Sequence, residues 1–165
     1  RGLVGSEMCL RDSPLPEAQA DRFLLKILLD YPTQKEELEI INKYTGAVKD
    51  IHTRPVITKK TLIALQNLSR QVPISTELKQ RVVKIVAETR KKGLIEYGAS
   101  PRASIGLIIA AKAKALMEGS NYVKSKHIDE MSYPVLRHRI ILNFEAERRG
   151  LTTDDAIKEL LSRIK

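Results

Sequence analysis

Residues 93–102 read GLIEYGASPR. Gly93 and Gly98 stand at the glycine spacing of a phosphate-binding P-loop, G-x-x-x-x-G-K-[ST], with Ser100 close behind. A P-loop follows a buried strand and offers backbone N–H groups and a lysine to phosphate oxygens. Here Ala99 holds the lysine position, and the preceding residues form a basic amphipathic pattern. The glycines therefore predict the two ends of a helix–helix loop. Arg102 asks for a different account. Ser100 followed by Pro101 is a helix start, because proline at the first helical position gives up no needed donor. An arginine in that first turn faces the positive end of the helix dipole, which costs ~0.3–1 kcal/mol at an exposed site. A guanidinium beside free helix N–H groups is also a good arrangement for holding phosphate. From the local residues alone, a surface role and an anion-binding role for Arg102 stand level.

The other reactive side chains form no constellation. His52, His127 and His138 lie on separate segments, and no H-x-x-H, C-x-x-C or carboxylate cluster has metal-ligand spacing, so no metal site is expected. Cys9 is the only cysteine, which rules out an intrachain disulfide and suits a reducing, cytoplasmic setting. His138, between Arg137 and Arg139, reads as a helix-surface residue. Ser100 and Ser104 have no histidine nearby to activate them. Asp154 and Asp155 fall in the first turn of the last helix, where they favour its dipole. The net charge of +9, from 29 Lys and Arg against 20 Asp and Glu, invites an anionic partner. Basic residues are spread along the chain, however, and with no tryptophan and two phenylalanines a base-stacking platform is not expected. No apolar run approaches the ~18 residues of a membrane span.

Helices must position these residues, since apolar periodicity is helical almost throughout. Thr33 with Glu36 forms a capping box ahead of Leu38, Ile41 and Tyr44, and Gly46 stops that helix. Thr58 caps a helix carrying Leu62, Leu65 and Leu68, closed by Pro73. Ser75 caps another, with Leu78, Val82, Ile85, Val86 and Thr89 on one stripe, ending at Gly93. The helix from Ser100 is apolar nearly all round and belongs at the centre of a bundle. A short helix is expected from about Ser125 to Met131. A last one is capped by Thr152 and Asp155 and carries Ile157, Leu160, Leu161 and Ile164. Residues 22–31, RFLLKILLDY, fit either a strand or a helix. The fold class is all-α, a helical bundle with a possible remnant strand near 22–31. Residues 1–13 carry no pattern and read as a disordered tail or cloning remnant.

Four separated stretches together resemble the C-terminal part of a MoxR-family AAA+ ATPase: PLPEAQADRFLLKILLDYP at 14–32, GASPRASIGLIIAAKAKAL at 98–116, NYVKSKHIDEM at 121–131 and YPVLRHRI at 133–140. The resemblance implies that 14–32 is the trailing end of the α/β nucleotide-binding module and 33–165 the helical lid domain. It also implies two site residues. Arg22, in DRF, matches the arginine finger that reaches a neighbouring subunit's ATP. Arg102, in the motif with Ser100 and Pro101, matches the sensor-2 arginine that contacts ATP from the lid side. ATP and Mg2+ as cofactors, a hexameric ring, chaperone-like work and a von Willebrand factor A domain partner are implied in the same way. The chain departs from the family pattern in having no Walker A or Walker B, in LRDS at 10–13 where a sensor-1 residue belongs, and in Ala20 where a larger apolar residue is usual. It is therefore expected to be inactive alone. A second reading is a helix-turn-helix DNA-binding or protein-interaction module, with Thr76, Lys79, Gln80 and Lys84 toward the major groove. GASPR speaks against it, because DNA binding has no use for an arginine at a proline-started helix N-terminus.

Overall fold

The computed structural model describes residues 16–45 and 54–164; Cys9, Gly46, His52 and the 1–13 tail lie outside them. In chain order the elements are α1 Glu17–Ala20, α2 Gln34–Thr45, α3 Lys59–Gln71, α4 Thr76–Glu88, β1 Ile95–Tyr97, α5 Pro101–Met117, α6 Ser125–Leu136, β2 Ile141–Leu142, α7 Phe144–Arg148 and α8 Thr153–Arg163. The fold is mostly helical, as the periodicity predicts.

Capping chemistry sets the helix starts. The Glu36 N–H donates to Thr33 Oγ1 at 3.4 Å and the Thr33 N–H returns to Glu36 Oε2 at 2.8 Å. Thr58, Ser75 and Ser100 each accept from a first-turn N–H, and Thr152 and Asp155 form a reciprocal box. Each bond satisfies a donor that the helix itself leaves free.

The core is built by α4, α5, α6 and α8. Val82, Ile85 and Val86 of α4 meet Ala103, Leu107 and Ala111 of α5, Ile128, Val135 and Leu136 of α6, and Ile157 of α8. Burying each larger side chain contributes about 1.5–3 kcal/mol. The residues of α5 that enter the core are small, Ala103, Gly106, Ala110, Ala111 and Ala115 apart from Leu107, which lets neighbouring helices approach closely. Ile105 and Ile109 on the same helix stay exposed, so α5 is not enclosed on all sides as its composition suggests.

Four further features depart from the sequence expectations. Residues 93–100 hold a strand, not a plain loop: β1 pairs antiparallel with β2, with a register irregularity between Ile95 and Tyr97. A small second cluster of Leu142, Ala146 and Ala156 packs with Leu94, Ile95 and Leu151 beside it. Helix α6 runs past Met131 to Leu136 with Pro134 inside its last turn, where the missing N–H removes one intrahelical bond close to the helix end. The apolar stretch after Arg22 is neither helix nor paired strand. It lies along the end of α6, joined there by the Lys26 N–H to the Pro134 carbonyl at 2.8 Å. Its Leu24 packs on Gly106 of α5, where an added Cβ would meet Leu24 Cδ1 at 3.3 Å.

Candidate functional site

Gly98 brings the start of α5 to its place. A Cβ there would lie 2.4 Å from the Thr89 carbonyl oxygen at the end of α4, so only glycine permits this approach. Two bonds then staple the loop. The Ala99 N–H donates to the buried Thr89 Oγ1 at 3.0 Å, and Arg90 Nε donates to the Ala99 carbonyl at 2.8 Å. Gly93 has open space around it and needs no such reason.

With the loop fixed, Ser100 caps α5 by accepting from the Arg102 N–H at 3.3 Å. Pro101 occupies the first turn, and the Arg102 guanidinium stands out from it, with its side chain 56% exposed. The Ser100 hydroxyl donates to the Asp21 carboxylate, 3.2 Å from Oδ1 and 3.0 Å from Oδ2. Arg102 Nη1 reaches Asp21 Oδ2 at 3.5 Å. One carboxylate thus sits where a helix N-terminus and a guanidinium converge, the environment an anion favours.

Asp21 is held from its other side by Arg139. Arg139 Nε donates to Asp21 Oδ1 at 3.1 Å, and the Arg139 side chain is 1% exposed. Its Nη2 donates to the carbonyls of Asp21, at 3.2 Å, and Phe23, while Nη1 donates to the carbonyls of Leu24, at 3.1 Å, and Val135. Burial draws the guanidinium below its ordinary value; the Asp21 charge pulls the other way, and Arg102 adds to the lowering. The neighbouring residues join the grip. Arg137 Nη1 donates to the Lys26 carbonyl at 3.3 Å and pairs in bidentate fashion with Asp154, at 3.0 and 2.8 Å. His138 Nε2 lies 2.9 Å from the Phe23 carbonyl. His138 is therefore a docking residue, half-buried against this segment, and not the helix-surface side chain its neighbours in sequence suggest.

Arg22 projects from the clamped segment into solvent, with no ion pair to any described residue. Its sequence neighbour Asp21 pairs with Arg102 and Arg139 instead. Ser100 and Arg102 are thus brought to the residue beside Arg22, and Pro101 lies in the same turn. Sequence reasoning missed Asp21 and Arg139 as site residues. The only available signal was the basic run RHR at 137–139, and the acceptors that make it part of the site, on Asp21 and Phe23, lie more than a hundred positions away.

Elsewhere, a cleft between α4 and α8 is lined by Lys84, Lys91, Lys92 and Arg163 together with Glu88 and Glu159, and it includes none of Asp21, Arg22, Ser100, Arg102 and Arg139. Within it Lys91 pairs with Glu88 and Arg163 with Glu159. His127 is fully buried, its Nδ1 accepting from the Lys124 N–H at 3.0 Å, so Nε2 carries the ring proton and faces Glu118 Oε2 at 3.3 Å. Among the described residues no group of three His, Cys, Asp or Glu could hold a metal ion, and no helix is long and apolar enough to cross a membrane.

Comparison with known proteins bears directly on this geometry. The AAA lid domain family matches residues 87–160, the stretch from the end of α4 into α8. Residues 87–160 form an AAA lid domain. The chain is 36% identical over 160 residues to the chaperone MoxR1 of Mycobacterium tuberculosis, covering 92% of this chain and 42% of that protein. It is 36% identical over 152 residues to the uncharacterised protein YeaC of Bacillus subtilis, covering 92% of this chain and 48% of that one. A crystal structure from Cytophaga hutchinsonii, described provisionally as an ATPase, superposes with a TM-score of 0.84 at 35% identity, over 93% of this chain and 49% of its own. The chain thus spans about half the length of these relatives.

Proposed function

We propose that this chain is the lid portion of a MoxR-like AAA+ ATPase and supplies two arginines to ATP sites in a ring. Arg102 is the sensor-2 residue, meeting the phosphates of ATP bound in its own subunit. Arg22 is the arginine finger, acting on ATP held by the neighbouring subunit. The observation that carries this reading is the state of Arg102: an exposed guanidinium at the N-terminus of a 17-residue helix, met by a single carboxylate at 3.5 Å.

The donor set fits a nucleotide phosphate. Ser100 and Pro101 fix where α5 begins, and the stapled Gly98–Ala99 backbone fixes where Arg102 starts from. Bound ATP with Mg2+ supplies the transferable phosphoryl group. The chain contributes positive charge already in place where negative charge develops, so no solvent need reorganise during reaction. Arg22 suits action in trans because its backbone is clamped while its side chain is free to reach outward. A finger of this kind contributes about 10³-fold or more to turnover. A hexameric ring, chaperone-like work and a von Willebrand factor A domain partner belong to the same proposal. Because this sequence has no Walker A or Walker B, the chain by itself should neither bind ATP tightly nor hydrolyse it.

The test uses the full-length protein that contains this chain. Arg102→Ala should weaken ATP binding at least about tenfold, as loss of a charge-assisted contact does. Arg22→Ala should lower kcat about 10³-fold with nucleotide affinity kept. Mixing Arg22→Ala subunits with subunits disabled in Walker B should restore part of the activity, because each supplies what the other lacks. Wild-type turnover by the Arg22→Ala protein, or wild-type affinity in Arg102→Ala, would overturn the assignment.

A further inference from the structure

We infer that Asp21 is a positioning residue with two separate tasks: Oδ2 detains Arg102, and Oδ1, through Arg139, fixes the backbone that presents Arg22. The inference rests on the roles proposed above for the two arginines and adds a coupling between them.

The two oxygens have different company. Oδ1 accepts from Arg139 Nε at 3.1 Å, and this guanidinium is almost wholly buried. The same guanidinium binds the carbonyls of Asp21 and Phe23, the residues on either side of Arg22, and that of Leu24 one residue further on. Arg22 is therefore gripped by its backbone on both flanks while its side chain is left exposed. A buried, multiply bonded guanidinium is a lasting connection, since removing a partner strands a desolvated charge. Oδ2 faces Arg102 at 3.5 Å in an exposed pair, an arrangement close in free energy to two separately hydrated ions. Arg102 can leave it at little cost for a phosphate, whose oxygens accept two parallel bonds from a guanidinium. Ser100 bonds both oxygens and keeps the carboxylate aligned when Arg102 departs. Asp21 is thus an internal anion that competes with nucleotide for Arg102, and also the link through which the lid fixes Arg22.

These two tasks make removal of the charge act in opposite directions. In the full-length protein, Asp21→Asn should tighten nucleotide binding about two- to fivefold, the scale of an exposed pair. It should lower kcat about 10- to 100-fold, as a misplaced reacting group does. Arg139→Lys keeps a charge but cannot span the carboxylate and the carbonyls. It should lower kcat with affinity unchanged. In an Arg102→Ala background, Asp21→Asn should no longer alter affinity, because its competitor role acts only through Arg102.

A readout without nucleotide is open to this chain as it stands. Trypsin cleavage after Arg22 requires the clamped backbone to open, so Asp21→Asn and Arg139→Lys should each speed that cut about tenfold, followed by mass spectrometry. If Asp21→Asn fails to fold, the Arg139→Lys results decide the clamp. If Arg102→Ala and Arg22→Ala behave as proposed but Asp21→Asn leaves affinity unchanged or weaker, Asp21 does not compete for Arg102. If Arg139→Lys leaves kcat and the tryptic rate unchanged, the clamp does not position Arg22. Wild-type affinity in Arg102→Ala would instead overturn the sensor assignment itself.

Discussion

A single added methyl group separates the two glycines of the 93–98 segment. At Gly98 it would enter the backbone of Thr89 and Arg90, whereas at Gly93 it would meet nothing within 4 Å. Gly98→Ala should therefore destabilise the chain by about 1–3 kcal/mol, the usual cost of forcing packed atoms apart. Gly93→Ala should be neutral or stabilise by about 0.4–1 kcal/mol through the unfolded chain. Urea unfolding of the two variants checks this, and equal midpoints would mean the loop does not rest on α4. The sequence offers both glycines as ends of a loop and cannot rank them, because the atom that excludes a Cβ at position 98 belongs to another helix. Thr89 shows the same limit. Its place on the inward stripe is readable from spacing, but its use as a latch, donating to the Val86 carbonyl at 2.6 Å and accepting from Ala99, depends on where the loop returns.

Between elements, the run Arg137–His138–Arg139 after α6 converts three basic side chains into a grip on an extended segment that has no ladder of its own. His138 needs its proton on Nε2, since the Phe23 carbonyl can only accept, and its Nδ1 is buried without a partner. Burial lowers its pKa; the Phe23 bond opposes that, Arg139 and Lys26 lower it further, and Asp21 raises it. The unfolded chain then takes up a proton at a pH where the folded one does not. The stability His138 confers is complete above the ordinary histidine value of about 6.5 and is lost as pH falls toward the lowered folded value. Unfolding midpoints at about pH 7.5 and 5.5 should therefore drop more for the wild type than for His138→Gln, whose amide can still donate to Phe23. Equal drops would mean that His138 titrates normally in the fold. Helix starts were legible because caps are local chemistry, as at Thr33, Thr58, Ser75, Ser100 and Thr152. The β1–β2 pair and the docking of residues 21–26 were not, since each joins positions tens to more than a hundred residues apart.

Over the whole molecule, burial is uneven. From Val72 onward the chain supplies the core, and the stretch matching the lid family lies within it. Helix α2 buries no side chain, while α3 lies against α5 without any of its side chains becoming fully buried. Leu38, Ile41 and Tyr44 on α2 are 57%, 49% and 66% exposed, and Leu28, Leu29 and Tyr31 just before them are exposed as well. Periodicity read α2 and α3 correctly as amphipathic helices, but it cannot say that α3 meets α5 while the apolar face of α2 stays exposed. A regular stripe left in solvent contributes nothing to the folding free energy of this chain. Leu38→Gln with Ile41→Gln, a pair that keeps helix propensity, should change its stability by no more than about 0.5 kcal/mol. Leu107→Ala on α5, which empties a fully buried site, should cost about 2–5 kcal/mol. Denaturant unfolding of both variants measures the contrast directly. A loss of several kcal/mol in the α2 variant would show that this helix packs against the bundle in solution, and the stable unit would then begin before Val72.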